Sequence, residues 1–223
     1  MQDVLKPILN LLQPGTVTLL AGQAGGGKTT LAFYLAAEAA RICPVVTLSY
    51  EPYVKVRRAA ARMPKIGFVA GYEGDDRYID VWHEPEEYAA HRGLLAVGEL
   101  LCYGVMARVR ASSGAFPKVG TVVARLRAMV EANPELAVLT WLSFPPHVSV
   151  SIERAGLHRW VEEIDMWTAG GVTAAHHAAL VKPVGGWDWR KSRAAQQGGM
   201  IAYVAKPEPR EIAIPPLPSL WLP

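Results

Sequence analysis

The sequence predicts an α/β protein with a mainly parallel, doubly wound sheet flanked by helices and closed by a C-terminal β-hairpin. Apolar, β-prone runs alternate along the chain with segments of helical periodicity. A glycine-rich loop also lies between the first of these strands and the helix that follows it. Ligands of such sheets bind at the carboxyl ends of the strands, so we expect the functional site beside that loop.

Length and composition favour one ordinary globular domain. The 223 residues suffice for a single α/β domain over residues 1–223, with a proline-rich extended tail at 215–223. The net charge of +3 permits nucleic-acid binding without requiring it. Two cysteines form no disulfide framework, and neither a signal peptide nor a membrane-spanning run is present. We therefore expect a soluble, cytoplasmic protein with no membrane partner.

The N-terminal half alternates between short helices and strands. Helices are predicted at residues 4–12, 30–41 and 53–63, and the last of these is basic. Strands are predicted at 17–21, 45–49, 66–70 and 78–82. The strand at 17–21 precedes the glycine-rich loop, the helix at 30–41 follows it, and the strand at 45–49 is buried. A turn is expected at 71–76, and residues 85–110 read as mostly helical, with Gly93 and Gly98 as possible breaks.

The C-terminal half continues the alternation. Helices are predicted at residues 120–132 and 151–168, a loop at 143–149 and a long polar segment at 181–199. An inner parallel strand is predicted at 136–142 and a strand ending in two histidines at 172–177. The two strands of the hairpin are expected at 200–205 and 210–214. The strand at 136–142 is apolar throughout, as expected of a strand buried on both faces.

The glycine-rich loop fits the phosphate-binding pattern G-x-x-x-x-G-K-[ST]. Its glycines permit positive φ, so backbone N–H groups can surround phosphate oxygens, and the following helix adds its positive end. Lys28 is expected to reach the β- and γ-phosphates, and the Thr29 hydroxyl to ligate Mg²⁺. The flanking strand and helix disfavour the alternative of a mere glycine-rich turn. The predicted ligands are ATP and Mg²⁺, and the predicted contacts are Gly22, Gln23, Ala24, Gly25, Gly26, Gly27, Lys28, Thr29 and Thr30.

Several segments together resemble the RecA-like ATPases, in the branch that holds replicative hexameric helicases, KaiC-type ATPases and plasmid RepA-type helicases. The resemblance rests on the entry to the phosphate loop, the strand leading to Glu51, the His-His segment and a Gly-Gly-Met before the hairpin, at residues 14–22, 46–51, 172–177 and 198–200. It implies an ATPase that is helicase-like, assembles as a homo-oligomeric ring such as a hexamer, and acts on single-stranded DNA.

Glu51 is the predicted catalytic base. A carboxylate at the tip of a strand beside the loop strand could hold water in line with the γ-phosphate, and the resemblance places a catalytic glutamate there. The alternative is a solvated surface glutamate before Pro52.

Thr140 is the main departure from the family pattern. In these ATPases the strand at 136–142 ends in an aspartate that holds Mg²⁺ through water, and the alignment puts Thr140 at that position. A hydroxyl can bond a Mg²⁺-bound water, but it lacks the charge. Either hydrolysis is weak, or another carboxylate substitutes, or the site is degenerate.

Two further catalytic candidates come from the resemblance. One of His176 and His177, with His177 preferred, would sense the γ-phosphate at a strand end; the alternative is a locally satisfied histidine. Arg210, beyond Lys206 in the last hairpin, would reach the nucleotide of a neighbouring subunit, although the family's Lys-x-Arg spacing is not kept and an exposed charged turn is the alternative.

Cations interleaved with aromatic side chains mark a candidate nucleic-acid loop, because charges can track phosphates while rings stack on bases. These residues are Lys182, Trp187, Trp189, Arg190, Lys191 and Arg193. The alternative is a solvated basic loop whose tryptophans pack on the body. The leading function is thus an oligomeric ATPase acting on nucleic acid, against a KaiC-like signalling ATPase or a nucleotide-dependent scaffold with little or no hydrolysis.

Overall fold

A computed structural model describes residues 2–63, 65–74, 79–110, 118–187, 198–206 and 208–218. Eight helices are described: α1 (Gln2–Leu9), α2 (Lys28–Ala39), α3 (Tyr53–Arg62), α4 (Leu100–Arg110), α5 (Val119–Ala132), α6 (Pro146–Ala155), α7 (Trp160–Thr168) and α8 (Gly171–Ala174). The strands are β1 (Val17–Gln23), β2 (Val45–Ser49), β3 (Gly67–Ala70), β4 (Tyr72–Gly74), β5 (Ile79–Trp82), β6 (Gly93–Gly98), β7 (Leu136–Phe144), β8 (His177–Pro183), β9 (Met200–Lys206) and β10 (Arg210–Ile214).

Eight of these strands form one sheet in the order β10-β9-β8-β1-β7-β6-β2-β3. The pairs from β8 through β1 to β3 are parallel, whereas β9 and β10 add an antiparallel hairpin at one edge. Strands β4 and β5 pair separately as a small antiparallel ribbon. The predicted fold class, including the C-terminal hairpin, is confirmed.

Two hydrophobic layers cover the sheet. One contains buried residues of α1 and α2, such as Leu5, Leu31 and Phe33, and the other contains buried residues of α5, α6 and α7, such as Leu126 and Ile152. Because successive side chains of a strand point to opposite faces, the central strands contribute to both layers. The sheet is therefore doubly wound, with the phosphate loop emerging between layers at the carboxyl ends of the parallel strands.

The largest error of the sequence prediction concerns residues 85–110. The pattern predicts a mostly helical segment. The chain instead makes a 3₁₀ turn at Pro85–Tyr88, forms strand β6 of the sheet and only then forms α4. The run Leu94-Leu95-Ala96-Val97 is a buried inner strand between β7 and β2. An apolar run of this length does not distinguish a strand from a helix by periodicity.

Smaller corrections affect the second half. The strand expected at 172–177 is the short helix α8 followed by an extended link, and the next strand, β8, begins only at His177. Helix α6 starts within the expected loop at 143–149, and β4 lies in the expected turn at 71–76. Among the helices of the described residues, none has the length and apolar character needed to span a membrane.

Candidate nucleotide site

The loop between β1 and α2 has the backbone of a phosphate cradle. Gly25 and Gly27 adopt φ values of +79° and +86°, which glycine reaches without strain. The Ala24 N–H donates to the Phe144 carbonyl over 3.3 Å, and the Gly26 N–H donates to the Gln23 carbonyl over 3.0 Å. The turn is thereby fixed against β7, and α2 begins directly after it with its N-terminal N–H groups toward the loop.

Gly22 is required by close approach rather than by its φ angle. A Cβ atom there would lie 2.5 Å from the Val181 carbonyl oxygen and 3.0 Å from Cδ of Lys28. The backbone of β8 and the lysine stem therefore pass directly over the first glycine of the motif. This close packing orients the Lys28 side chain back across the loop.

Lys28 is buried in this cradle, with 2% of the residue exposed. Its ammonium donates to the Gln23 carbonyl over 2.7 Å. Burial lowers the pKa of Lys28 to about 8, while the nearby Glu99 and Glu51 carboxylates oppose that shift. A buried cation in a loop that has no acidic residue of its own is suited to receive phosphate oxygens.

Glu51 meets the start of α2. The Thr29 hydroxyl donates to Oε1 of Glu51 over 3.1 Å, and Lys55 pairs with Oε2 over 2.7 Å. The expectation that this glutamate follows a strand beside β1 was wrong, because β7 and β6 lie between β1 and β2. The carboxylate nevertheless meets the loop through Thr29, the second residue of α2. Its role as the catalytic base stays a prediction.

Glu99 is the residue that the sequence reasoning missed. It follows the last residue of β6 and is 3% exposed. Its Oε1 accepts hydrogen bonds from the N–H groups of Ser143 and Leu101 over 2.7 and 3.0 Å, and its Oε2 accepts from the Ser143 hydroxyl over 2.6 Å. A detectable signal existed: an apolar run bounded by Gly93 and Gly98 and followed at once by a glutamate indicates a buried strand with an acid at its tip.

The structure overturns the assignment of Thr140 as a metal-site residue. Thr140 is fully buried and its hydroxyl donates to the Val97 carbonyl of β6 over 2.7 Å. It pairs with Leu19, three residues before the first glycine of the loop, whereas Ser143 pairs with Gly22. Strand β7 continues to Phe144, so position 143, not position 140, lies level with the loop.

His176 and His177 lie at the wrong end of the sheet for γ-phosphate sensing, so that prediction was also wrong. His177 is the first residue of β8 and pairs with Thr18 near the start of β1. Its Nδ1 lies 2.5 Å from the Leu11 carbonyl, and Nδ1 of His176 accepts the Val17 N–H over 3.1 Å. Both histidines fasten the amino ends of the two strands.

Lys206 and Arg210 lie away from the loop of their own chain. The Lys206 ammonium lies 3.2–3.4 Å from three carbonyls at the end of α8, where a cation complements the helix dipole. Arg210 is exposed at the start of the edge strand β10 and donates to the Pro7 carbonyl over 3.3 Å. It cannot serve its own site, and a role in a neighbouring subunit stays a prediction.

Only the first part of the predicted nucleic-acid loop lies in the described residues. The Trp187 ring packs edge-on against Phe144, with centroids 5.7 Å apart. The Lys182 ammonium lies 4.9 Å from the centre of the Trp187 ring and pairs with Glu153 over 3.5 Å. These two side chains are held on the body beside the loop. Trp189, Arg190, Lys191 and Arg193 lie outside the described residues.

The oxygen donors at this site fit a hard divalent cation. The Thr29 hydroxyl contacts the Glu51 carboxylate, and the charges of Glu51 and of the buried Glu99 both act on Lys28 at the start of α2. Hydroxyl and carboxylate oxygens are the ligands that Mg²⁺ prefers, commonly with several retained waters. The residues present therefore suit a Mg²⁺–nucleotide complex.

No protein-family model and no curated protein matches this sequence. Among solved structures, one that contains an ATPase domain aligns with a TM-score of 0.60 and 10% identity, covering 90% of this chain and 81% of that domain. A DnaB-like replicative helicase, described with its interactions with primase, aligns with a TM-score of 0.62 and 10% identity. The match covers 94% of this chain but 57% of that helicase. The chain has the RecA-like P-loop fold of the ATPase domains of these proteins.

Proposed function

We propose that this protein binds ATP with Mg²⁺ in the loop at 22–29 and hydrolyses it. The observation that carries the proposal is the Lys28 ammonium, which is buried at the start of α2, bonded to the Gln23 carbonyl and acted on by the charges of Glu51 and Glu99. Burying a cation costs free energy unless it is paired, and phosphate oxygens would supply such a partner. The likeness to ATPase domains supports the same conclusion at the level of fold.

The side chains divide the work according to their positions. Lys28 and the loop N–H groups would bind the phosphates, and the Thr29 hydroxyl, which contacts Glu51, would hold the metal. Glu51 then orients a water toward the γ-phosphate and accepts its proton. Mg²⁺, when bound, neutralises charge that develops on the phosphate oxygens.

ATP turnover of the full chain tests this proposal. We expect Lys28→Ala to lose nucleotide binding, whereas Glu51→Gln keeps binding but lowers kcat by about 10²–10⁴-fold. Glu135→Gln removes an exposed carboxylate that pairs with Arg92 and serves as a control of equal charge change. Unchanged kcat in Glu51→Gln would refute the assigned base, and unchanged nucleotide binding in Lys28→Ala would refute the site.

We further propose that the protein is a homo-oligomeric ring, such as a hexamer, that couples ATP to movement on single-stranded DNA in the cytoplasm. Support comes from the helicase among the structural neighbours and from the cations and aromatics at 182–193. We expect single-stranded oligonucleotides to bind and to stimulate ATP turnover. The triple variant Arg190→Ala, Lys191→Ala, Arg193→Ala should abolish both effects and leave basal turnover intact.

A nucleotide-dependent scaffold or KaiC-like signalling ATPase is the second candidate. Trp187 packs on Phe144, and Lys182 lies against the Trp187 ring. Because these two side chains already contact the body of the protein, they are less available to nucleic acid, which favours this candidate. An ATPase that neither binds single-stranded DNA nor responds to it would favour this candidate and refute the helicase-like one.

A further inference from the structure

Strand β7 carries no acid where the phosphate loop begins. Ser143 occupies the position level with Gly22 and lies on the face of the sheet that α2 covers, since Leu139 and Trp141 pack into that layer. A serine hydroxyl there supplies no charge to hold a cation. The negative charge at this point comes instead from the neighbouring strand.

The carboxylate of Glu99 contacts the side chain of Ser143. The chain leaves β6 at Gly98, where a Cβ would lie 2.1 Å from the Trp141 ring, so the backbone passes directly against β7. The carboxylate is then fixed by the backbone and hydroxyl of Ser143 and by the Leu101 N–H. Three donors hold both oxygens in one orientation without a flexible partner.

The carboxyl group of Glu99 is buried and has no direct basic partner among the described residues. Within the described part of the chain, no basic side chain pairs with Glu99 within 4 Å. Its charge acts on Lys28, where it opposes the effect of burial on the pKa. Two carboxylate oxygens offer about four acceptor positions, and three are filled. One position on Oε2 remains for a water.

We propose that Glu99, positioned by Ser143, holds the water shell of Mg²⁺ at this site in place of an aspartate at the end of β7. This inference rests on the proposed ATP site. Strand β6 thus supplies the charge that β7 lacks, and the departure at position 140 does not imply a degenerate site.

Equilibrium binding of a fluorescent, non-hydrolysable ATP analogue, measured in MgCl₂ and in EDTA, tests the inference without relying on turnover. For Glu99→Gln we expect Mg²⁺ to lose about 10- to 100-fold of its effect on affinity, as for other residues that hold metal-bound groups. In EDTA the same variant should bind more tightly than wild type, because a negative charge near the phosphates is gone. A variant that is merely misfolded would bind less tightly in both buffers.

Ser143→Ala gives an independent variant, because it keeps the carboxylate and removes the donor to Oε2. We expect a smaller loss of the Mg²⁺ effect and little change in EDTA. Glu135→Gln should match wild type in both buffers. A full Mg²⁺ effect in folded Glu99→Gln or, should that variant not fold, in Ser143→Ala would overturn the inference. Wild-type protein that binds no analogue in either buffer would instead refute the proposed function.

Discussion

The direction of single side chains along β7 decides which positions can touch a nucleotide. Thr140 and Leu142 share one face of the strand, and Trp141 and Ser143 share the other, which α2 covers. An alignment that places Thr140 at the metal is therefore three residues out of register. Because this shift is odd, it also puts the side chain on the opposite face of the strand. Resemblance to a family pattern does not fix a register to that accuracy, whereas pairing with β1 does.

Thr140→Val tests the structural role of that hydroxyl. The substitution keeps the β-branched shape and removes the hydrogen bond to the Val97 carbonyl. We expect the free energy of unfolding to fall by about 1 kcal/mol, with nucleotide affinity and its Mg²⁺ dependence unchanged. Urea unfolding and analogue binding measure the two effects. A selective loss of the Mg²⁺ effect would restore Thr140 to the site.

Gly22→Ala tests the close packing over the loop. The new methyl group would press on the Val181 carbonyl, a backbone atom of β8 that cannot move alone. We expect a loss of about 1–3 kcal/mol in unfolding free energy and weak nucleotide binding, because the Lys28 stem is displaced as well. Gly198→Ala is the control, because Gly198 is exposed and a Cβ atom there would meet only Cβ of Val184, at 3.8 Å. Wild-type affinity in Gly22→Ala would show that the contact is dispensable.

At the scale of elements, the sequence predicts most of the parallel core but not β6, which lies two strands from β1. β1, β2 and β7 are apolar runs of high β-propensity with turns or a helix start beside them, and the structure has all three close to their expected positions. The residues of β6 favour a helix in the sequence because Leu and Ala suit helices and the neighbouring segments are helical in pattern. Losing β6 also means losing Glu99, so the missing element and the missing site residue are one error.

The histidine pair shows a second limit at this scale. A strand at 172–177 would put the histidines at a carboxyl end, but the chain first forms α8 and starts β8 only at His177. Thr173 and Val172 have β-propensity, yet the side chain of Asp165 accepts their N–H groups and holds them as a helical turn. A tertiary contact of this kind has no local signal in the sequence.

His176 should make the join between β1 and β8 sensitive to acid. Burial, with help from Arg127, lowers the pKa of His176 below its usual value, and its Nδ1 accepts the Val17 N–H only when unprotonated. The unfolded chain therefore binds this proton more readily than the folded one. Its contribution is intact above about pH 6.5 and is lost as the pH falls below that value.

Urea unfolding of wild type and His176→Asn from pH 7.5 to pH 5 measures this contribution. We expect the variant to be less stable at pH 7.5 and the difference to shrink at pH 5, because the carboxylates that also titrate are common to both proteins. A difference independent of pH would show that His176 titrates alike in the folded and unfolded chains.

At the scale of the whole molecule, the sheet order separates the groups of the site from the hairpin. Lys28, Glu51 and Glu99 converge because β1, β7, β6 and β2 end on the same side of the sheet. Arg210 lies three strands from β1 in the other direction, at the exposed edge. An arginine at that edge can act on a nucleotide only in another copy of the chain.

Subunit mixing tests whether Arg210 acts in this way. Arg210→Ala should keep nucleotide affinity, because its own site is intact, and lose about 10³-fold or more in kcat if it stabilises transition-state charge in a neighbour. Lys28→Ala subunits are inactive by themselves but still carry Arg210. Mixing the two inactive proteins should therefore restore part of the turnover, since some sites would pair an intact loop with an intact arginine. A chain that sediments as a monomer with ATP, or mixtures that never exceed either variant alone, would refute the action in trans. Arg210 would then be left with its bond to the Pro7 carbonyl, as a tie between β10 and α1.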